Sequence, residues 1–420
     1  MRETVLKWGS QSTTWLYLLL AYPVIDYVLR NILPIPVISS LWDEGLLIVL
    51  LLFTLFAFFQ GDRHLPAVKH LLAAFFVLGA ALMVSDMANW KASVEGFRAV
   101  YQYILAFFIG FYLFKSSEQL DRLLKVLVLV GFLAGLVGVM QVVIGVETPG
   151  SWVQEGESIT TRAFSFVTSP NVLGSYMALI APIAAGLFLQ AASRKEKLVW
   201  AVVTVTTLLA LLLTASRGAW FALAFALFIC CYIWSRKIAA ILVGIGAVGV
   251  VGLFFVPDSV PLVGSVKNRI FGLFTPEYFA SSMQAGRLQR WGEAYDKMRI
   301  EPLFGVGLGH HGGAVGSRHF GTIYSDSYFF KSLAEFGLIG IILLIVLVFV
   351  MMRYSVRAIR QAKGSTAFFL LLGLFGGLLA VAMHNFVENI FEVPFMALYF
   401  WLFCGLFSAL YVEQTLSKKG

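Results

Sequence analysis

The chain has 420 residues, of which 59% are hydrophobic, 15% aromatic and only 13% charged. Ordinary soluble domains are about 25% charged, so water is not the only solvent here, and one membrane-embedded domain over 1–420 is the simplest organisation. The formal charge of +8 comes from bases scattered through short breaks between apolar runs, not interleaved with exposed aromatics, which argues against nucleic acid and for membrane topology.

Taken in chain order, Arg2 and Lys7 precede an apolar run from Trp15. Pro23 and Asp26 follow with no small-residue cleavage site, so a retained first helix is expected, not a signal peptide. A spanning helix needs about 20 mostly apolar residues. Segments of that kind centre on 13–29, 41–59, 67–85, 97–114, 123–145, 171–190, 198–214, 219–235, 238–256, 333–352, 366–385 and 395–413. The predicted fold is therefore all-α: a polytopic membrane helix bundle of about 12 transmembrane helices, with one long extracytoplasmic loop containing short helices.

Orientation follows from the bases kept near cytoplasmic helix ends. With both termini cytoplasmic, that side holds Arg63 and Lys69; Lys115, Arg122 and Lys125; Arg194, Lys195 and Lys197; Arg236 and Lys237; Arg353, Arg357, Arg360 and Lys363; and Lys418 and Lys419. The long loop, 257–325, falls on the opposite face and is unusually basic, with Lys267, Arg269, Arg287, Arg290, Lys297, Arg299 and Arg318. Long loops translocate regardless of charge; the alternative is that something on that face repays the presence of these bases. Within the loop, Gln284 to Ile300 has the spacing of an amphipathic helix that Pro302 would stop. Gly305, Gly307, Gly309, Gly312 and Gly313 then form a glycine-rich turn before the chain re-enters the membrane.

Several residues could carry chemistry. Ser216-Arg217-Gly218 lies between two spans with almost no loop, which fixes Arg217 at the membrane surface. It either snorkels to headgroups or offers a planar fork to phosphate oxygens. Arg287 and Arg290, three residues apart, share one helical face and could meet one anion or form a solvated basic face. Asp326, in Tyr324-Ser325-Asp326-Ser327-Tyr328, stands where the loop rejoins an apolar helix, as an N-cap or as a base for a sugar hydroxyl. Arg162 before Ser169-Pro170-Asn171, and the pair His310-His311, are weaker candidates, the histidines favouring a loop or packing role over a metal. His384 with Glu388 and Glu392 is either a site or an interfacial polar rim. Cys230, Cys231 and Cys404 lie inside apolar runs and support neither disulfides nor a metal site. No Asp-x-Asp, Walker loop, His-Glu-x-x-His or Gly-x-Ser-x-Gly occurs, so nucleotide-sugar, ATP, zinc-protease and hydrolase chemistries lose support.

Together these residues resemble the O-antigen ligase and polymerase superfamily, membrane enzymes that handle undecaprenyl-diphosphate-linked glycans. The resemblance rests on Arg162 with Pro170-Asn171, Ser216-Arg217-Gly218, Arg287 to Trp291, Pro302-Leu303-Phe304-Gly305-Val306-Gly307-Leu308-Gly309, and Leu333-Ala334-Glu335-Phe336-Gly337-Leu338-Ile339-Gly340. It implies a metal-independent, inverting glycosyltransferase without cofactor, acting at the cytoplasmic membrane on a polyprenyl-diphosphate-linked donor and a glycan or lipid acceptor. Its expected catalytic groups are Asp326, Arg217 and Arg287, and its expected substrate-binding residues Arg290, Arg162, Ser327, Tyr328 and His310. In the ligases a His-Asn pair lies nine residues before the Glu of the Ala-Glu-x-Gly motif, and its His is regarded as catalytic. Here that place holds Asp326 and Ser327, which tilts the expectation toward a polysaccharide polymerase over a ligase. A transporter or flippase would show repeated halves or charged breaks near helix midplanes, whereas the charges here gather in one loop.

Overall fold

The computed structural model describes residues 12–61, 63–152, 161–257 and 261–416. Arg2, Lys7, Lys418 and Lys419, which enter the orientation argument, lie outside them. Each apolar segment read from the sequence falls on a helix, and among the described residues the only β-structure is an isolated bridge between Gly312 and Tyr324. Among the described residues, ten helices are long and apolar enough to cross a membrane, and an eleventh span forms if Ser12–Leu20 and Tyr22–Ile32 count as one. That pair is bent by 65°, because Pro23 at the start of its second half lacks the N–H that would continue the helix ladder. Phe368–His384, at 17 residues, is the shorter apolar helix.

The chain divides into two compact units. One comprises the residues up to Val130, Ala294–Leu370 and those from Asn389. Its core is the helix Pro394–Leu416 packed on Ala106–Leu113, where Phe107, Phe111, Phe400, Phe403 and Phe407 are fully buried. Arg63 clips one end by donating to the carbonyls of Phe111 and Phe114 and pairing with Glu413. The other unit comprises Gly131–Glu293 and Leu371–Glu388. At its centre is Pro170–Gln190, begun by Ser169, which accepts from the Val172 N–H, with Pro170 in the first turn where no N–H is needed. Arg194–Leu213 and Arg217–Trp234 pack against it.

The helix Tyr328–Gln361 carries the feature that shapes the first unit. At Gly337 the backbone leaves the helix, with φ 64° and ψ −164°. A break inside apolar surroundings strands amides and carbonyls unless protein supplies partners. The segment after Pro302 supplies them. Leu338 and Ile339 donate to the carbonyls of Pro302 and Leu303 at 2.8 and 3.1 Å, and the Val306 and Gly307 amides donate to the carbonyls of Ala334 and Glu335 at 2.9 and 3.2 Å. The two glycine-bearing motifs of the sequence are thus halves of one backbone lock. Gly337→Ala should lower stability by about 1–3 kcal/mol, since that conformation is essentially confined to glycine. Thermal unfolding of the detergent-purified protein checks this, and an unchanged midpoint would contradict the lock.

Candidate functional site

In the second unit, two arginines line a cavity of about 240 Å³. The hairpin that presents the first is pinned by its own side chains. Thr214 Oγ1 donates to the Leu211 carbonyl at 2.6 Å and accepts from the Ser216 amide, Trp220 Nε1 donates to the Leu211 carbonyl at 3.0 Å, and Ala215 is held at φ 52°. Gly218 permits a close approach, because a Cβ there would lie 2.6 Å from Val387 and 2.9 Å from His384. Arg217 is half-buried, with its guanidinium 5.2 Å from the centre of the Tyr278 ring and Nη1 donating to the Arg269 carbonyl at 3.3 Å. Arg269 in turn donates to the Ala215 carbonyl at 2.9 Å, stitching the loop helix Pro261–Phe271 to the hairpin.

The second cavity arginine, Arg287, is the first residue of the helix Arg287–Ile300. A cation there opposes the positive end of the helix dipole. Its Nε–H is buried with no acceptor in the protein, and its Nη2 lies 4.0 Å from a Glu388 carboxylate oxygen. Phe221, Tyr278, Phe279 and Trp291 give the same cavity apolar and aromatic walls. Such a cavity suits an anionic head joined to an apolar tail. Arg290 lies outside the cavity lining.

Arg162 is nearly fully buried, and its donors reach Thr214 O at 2.9 Å, Trp152 O at 3.1 Å and Asn171 Oδ1 at 3.3 Å. Asn171 Nδ2 donates to the Glu388 carboxylate. The Pro170-Asn171 motif therefore does two things: it starts a helix, and it connects Arg162 to Glu388.

In the first unit, Asp326 is half-buried and takes φ 47°, in the left-handed region. The helix cap is not Asp326 but Ser327, whose hydroxyl accepts from the Phe330 N–H at 3.2 Å. Ser327 and Tyr328 are both buried, Tyr328 edge-on to Phe391. Beneath them is an ionic cluster that the sequence did not announce. Lys331 Nζ is shared by Glu335 at 2.6 Å and Glu392 at 3.2 Å, and the Glu335 and Glu392 carboxylates accept from the His311 and Ala314 amides. Asn389 donates to the Gly312 carbonyl at 2.8 Å, and Ser325 to the same carbonyl. His310 is engaged on both sides, 3.2 Å from Asp86 and stacked on Phe320 at 4.3 Å. Among the described residues no group of three or more His, Cys, Asp or Glu is arranged to hold a metal.

Residues 202–345 match the family model described as O-antigen ligase. That segment is similar to O-antigen ligases. The match supports the O-antigen ligase and polymerase superfamily for that segment, and the helices above make the chain a multi-pass membrane protein. No curated protein matches the chain. The matched segment contains Arg217, Arg269, Arg287, His310 and Asp326, while Arg162, Asn171, Glu388 and Glu392 lie outside it.

Sequence reading missed Lys331, whose i,i+4 spacing to Glu335 was an available signal, and counted Arg269 only among the loop bases, since its bond to a hairpin carbonyl has no sequence signature. His311 is buried, and that burial, with Lys297 and Lys331 nearby, pushes its imidazole down to about 4. The folded chain thus resists protonation there more than the unfolded chain, whose His titrates near 6.5. Stability from this group is full above about pH 6.5 and is lost as pH falls from there towards 4. His311→Gln should flatten the fall in melting temperature across that window, and an unchanged acid slope would contradict the assignment.

Proposed function

We propose that the protein is a cell-surface polysaccharide polymerase that joins polyprenyl-diphosphate-linked glycan repeat units on the outer face of the cytoplasmic membrane, with both termini cytoplasmic. The observation that carries this reading is the cavity in which Arg217 and Arg287 stand among aromatic and aliphatic walls, partly within the O-antigen ligase segment. A diphosphate donor brings its own leaving group. The protein's task is to neutralise the charge that grows on the diphosphate as the glycosidic bond breaks, and two guanidinium forks fixed in a half-buried pocket can do so without a metal. The acceptor hydroxyl needs a proton acceptor. Asp326 suits that role, since capping falls to Ser327 and a carboxylate is a competent general base. Direct displacement inverts the anomeric centre.

A second reading, transfer of a finished glycan to a lipid or protein, is favoured by the description of the matched family as a ligase. Loss of the gene separates the two: a polymerase leaves single lipid-linked repeats, whereas a ligase leaves long chains on the carrier.

With purified protein and lipid-linked repeat units, Arg217→Lys should lose most activity despite keeping its charge, and Arg287→Ala should do the same. Asp326→Asn should fold normally but lose on the order of a hundred- to ten-thousand-fold in rate, and Asp326→His should retain part of it. Activity that survives loss of both arginines would refute the donor pocket. Near-normal turnover by Asp326→Asn would place the base elsewhere.

A further inference from the structure

The donor pocket proposed above has a release problem. When the bond between the anomeric carbon and the diphosphate oxygen breaks, its electron pair stays on that oxygen. The acceptor oxygen bonds to the carbon and passes its proton to the base. The polyprenyl diphosphate left behind carries one more negative charge than the donor did. A pocket built from Arg217 and Arg287 therefore holds its product more tightly than its substrate.

The structure contains a group suited to reverse this. Glu388 lies 4.0 Å from Arg287 Nη2, near enough for strong attraction but too long for a hydrogen bond, so the guanidinium donors stay available to another anion. Glu388 itself is anchored. Asn171 Nδ2 donates to its carboxylate, and the Asn171 amide is oriented by Arg162, which donates to Oδ1 at 3.3 Å. Arg162 is fixed in turn by the Thr214 and Trp152 carbonyls. Next to Glu388 in the chain, the Val387 side chain packs closely against Gly218. A carboxylate held this firmly beside a cavity arginine is a permanent competitor for that arginine.

We infer that Glu388, oriented by Asn171 and Arg162, is a product-release residue: it re-pairs with Arg287 and expels the polyprenyl diphosphate after each transfer. Arg162 and Asn171 are on this account positioning residues that act through Glu388. The inference rests on the donor-pocket reading.

The test uses the full-length chain in neutral detergent. Inorganic pyrophosphate binding is measured by calorimetry, and turnover is measured with lipid-linked repeat units. Glu388→Gln should bind pyrophosphate about tenfold more tightly, the order expected when a carboxylate competing at 4.0 Å for the same guanidinium is removed. Its kcat and KM should fall together, leaving kcat/KM nearly constant, which a merely structural role would not produce. Glu388→Ala should shift both quantities in the same direction, and Glu388→Asp should fall between the wild type and Glu388→Gln. If both neutral variants bind pyrophosphate no more tightly than the wild type, or lose kcat/KM at unchanged KM, the release role is overturned while the donor pocket stands. A wild-type protein that does not bind pyrophosphate overturns the pocket and the release role together.

Discussion

Irregular backbone inside an apolar environment must find its hydrogen bonds within the protein. In the first unit this constraint acts at Gly337, where a spanning helix opens and the segment after Pro302 pairs with the freed groups. Once that lock closes, the following turn has little freedom. Its amides at His311 and Ala314 meet Glu335 and Glu392, and Lys331 between these carboxylates keeps their charges paired. Removing Lys331 would leave both carboxylates without their cation, costing about 3–5 kcal/mol. The turn then holds Ser325 by its backbone, and Asp326 follows in a conformation that few non-glycine residues adopt.

On the proposed reading, the second unit holds cations ready for an anion. Arg287 begins a helix, against the dipole, and its Nε–H has no protein acceptor. Arg217 emerges from a hairpin with no slack, resting over Tyr278. The placement of Arg287 is unfavourable for an isolated protein, and on the proposed reading both arginines await a diphosphate. Preorganised charge of this kind avoids reorganisation at the moment of reaction.

Much of the fold was legible because spanning helices announce themselves by length and apolarity, and the short loop helix Arg287–Ile300 by its periodicity. The bend at Pro23 was signalled by proline but not read as one. The opening at Gly337 was hidden, because a glycine in a helical pattern reads as tolerated and the segment that completes it lies some thirty residues earlier. Of the candidate site, Arg217 and Arg287 were legible from a tight hairpin and a basic loop. Arg162 was legible as a residue but not as a link, since its reach to Glu388 through Asn171 depends on tertiary contact. Asp326 could be read as a cap or a base, and the structure gives the cap to Ser327.

The most direct measurement follows a synthetic polyprenyl-diphosphate-linked repeat unit added to the purified, reconstituted chain with no metal or nucleotide. The account predicts a ladder of lengthening glycans on the lipid, with one free polyprenyl diphosphate released for each repeat joined. Recovery of the repeat unit chemically unchanged, moved only to the opposite leaflet, would contradict it.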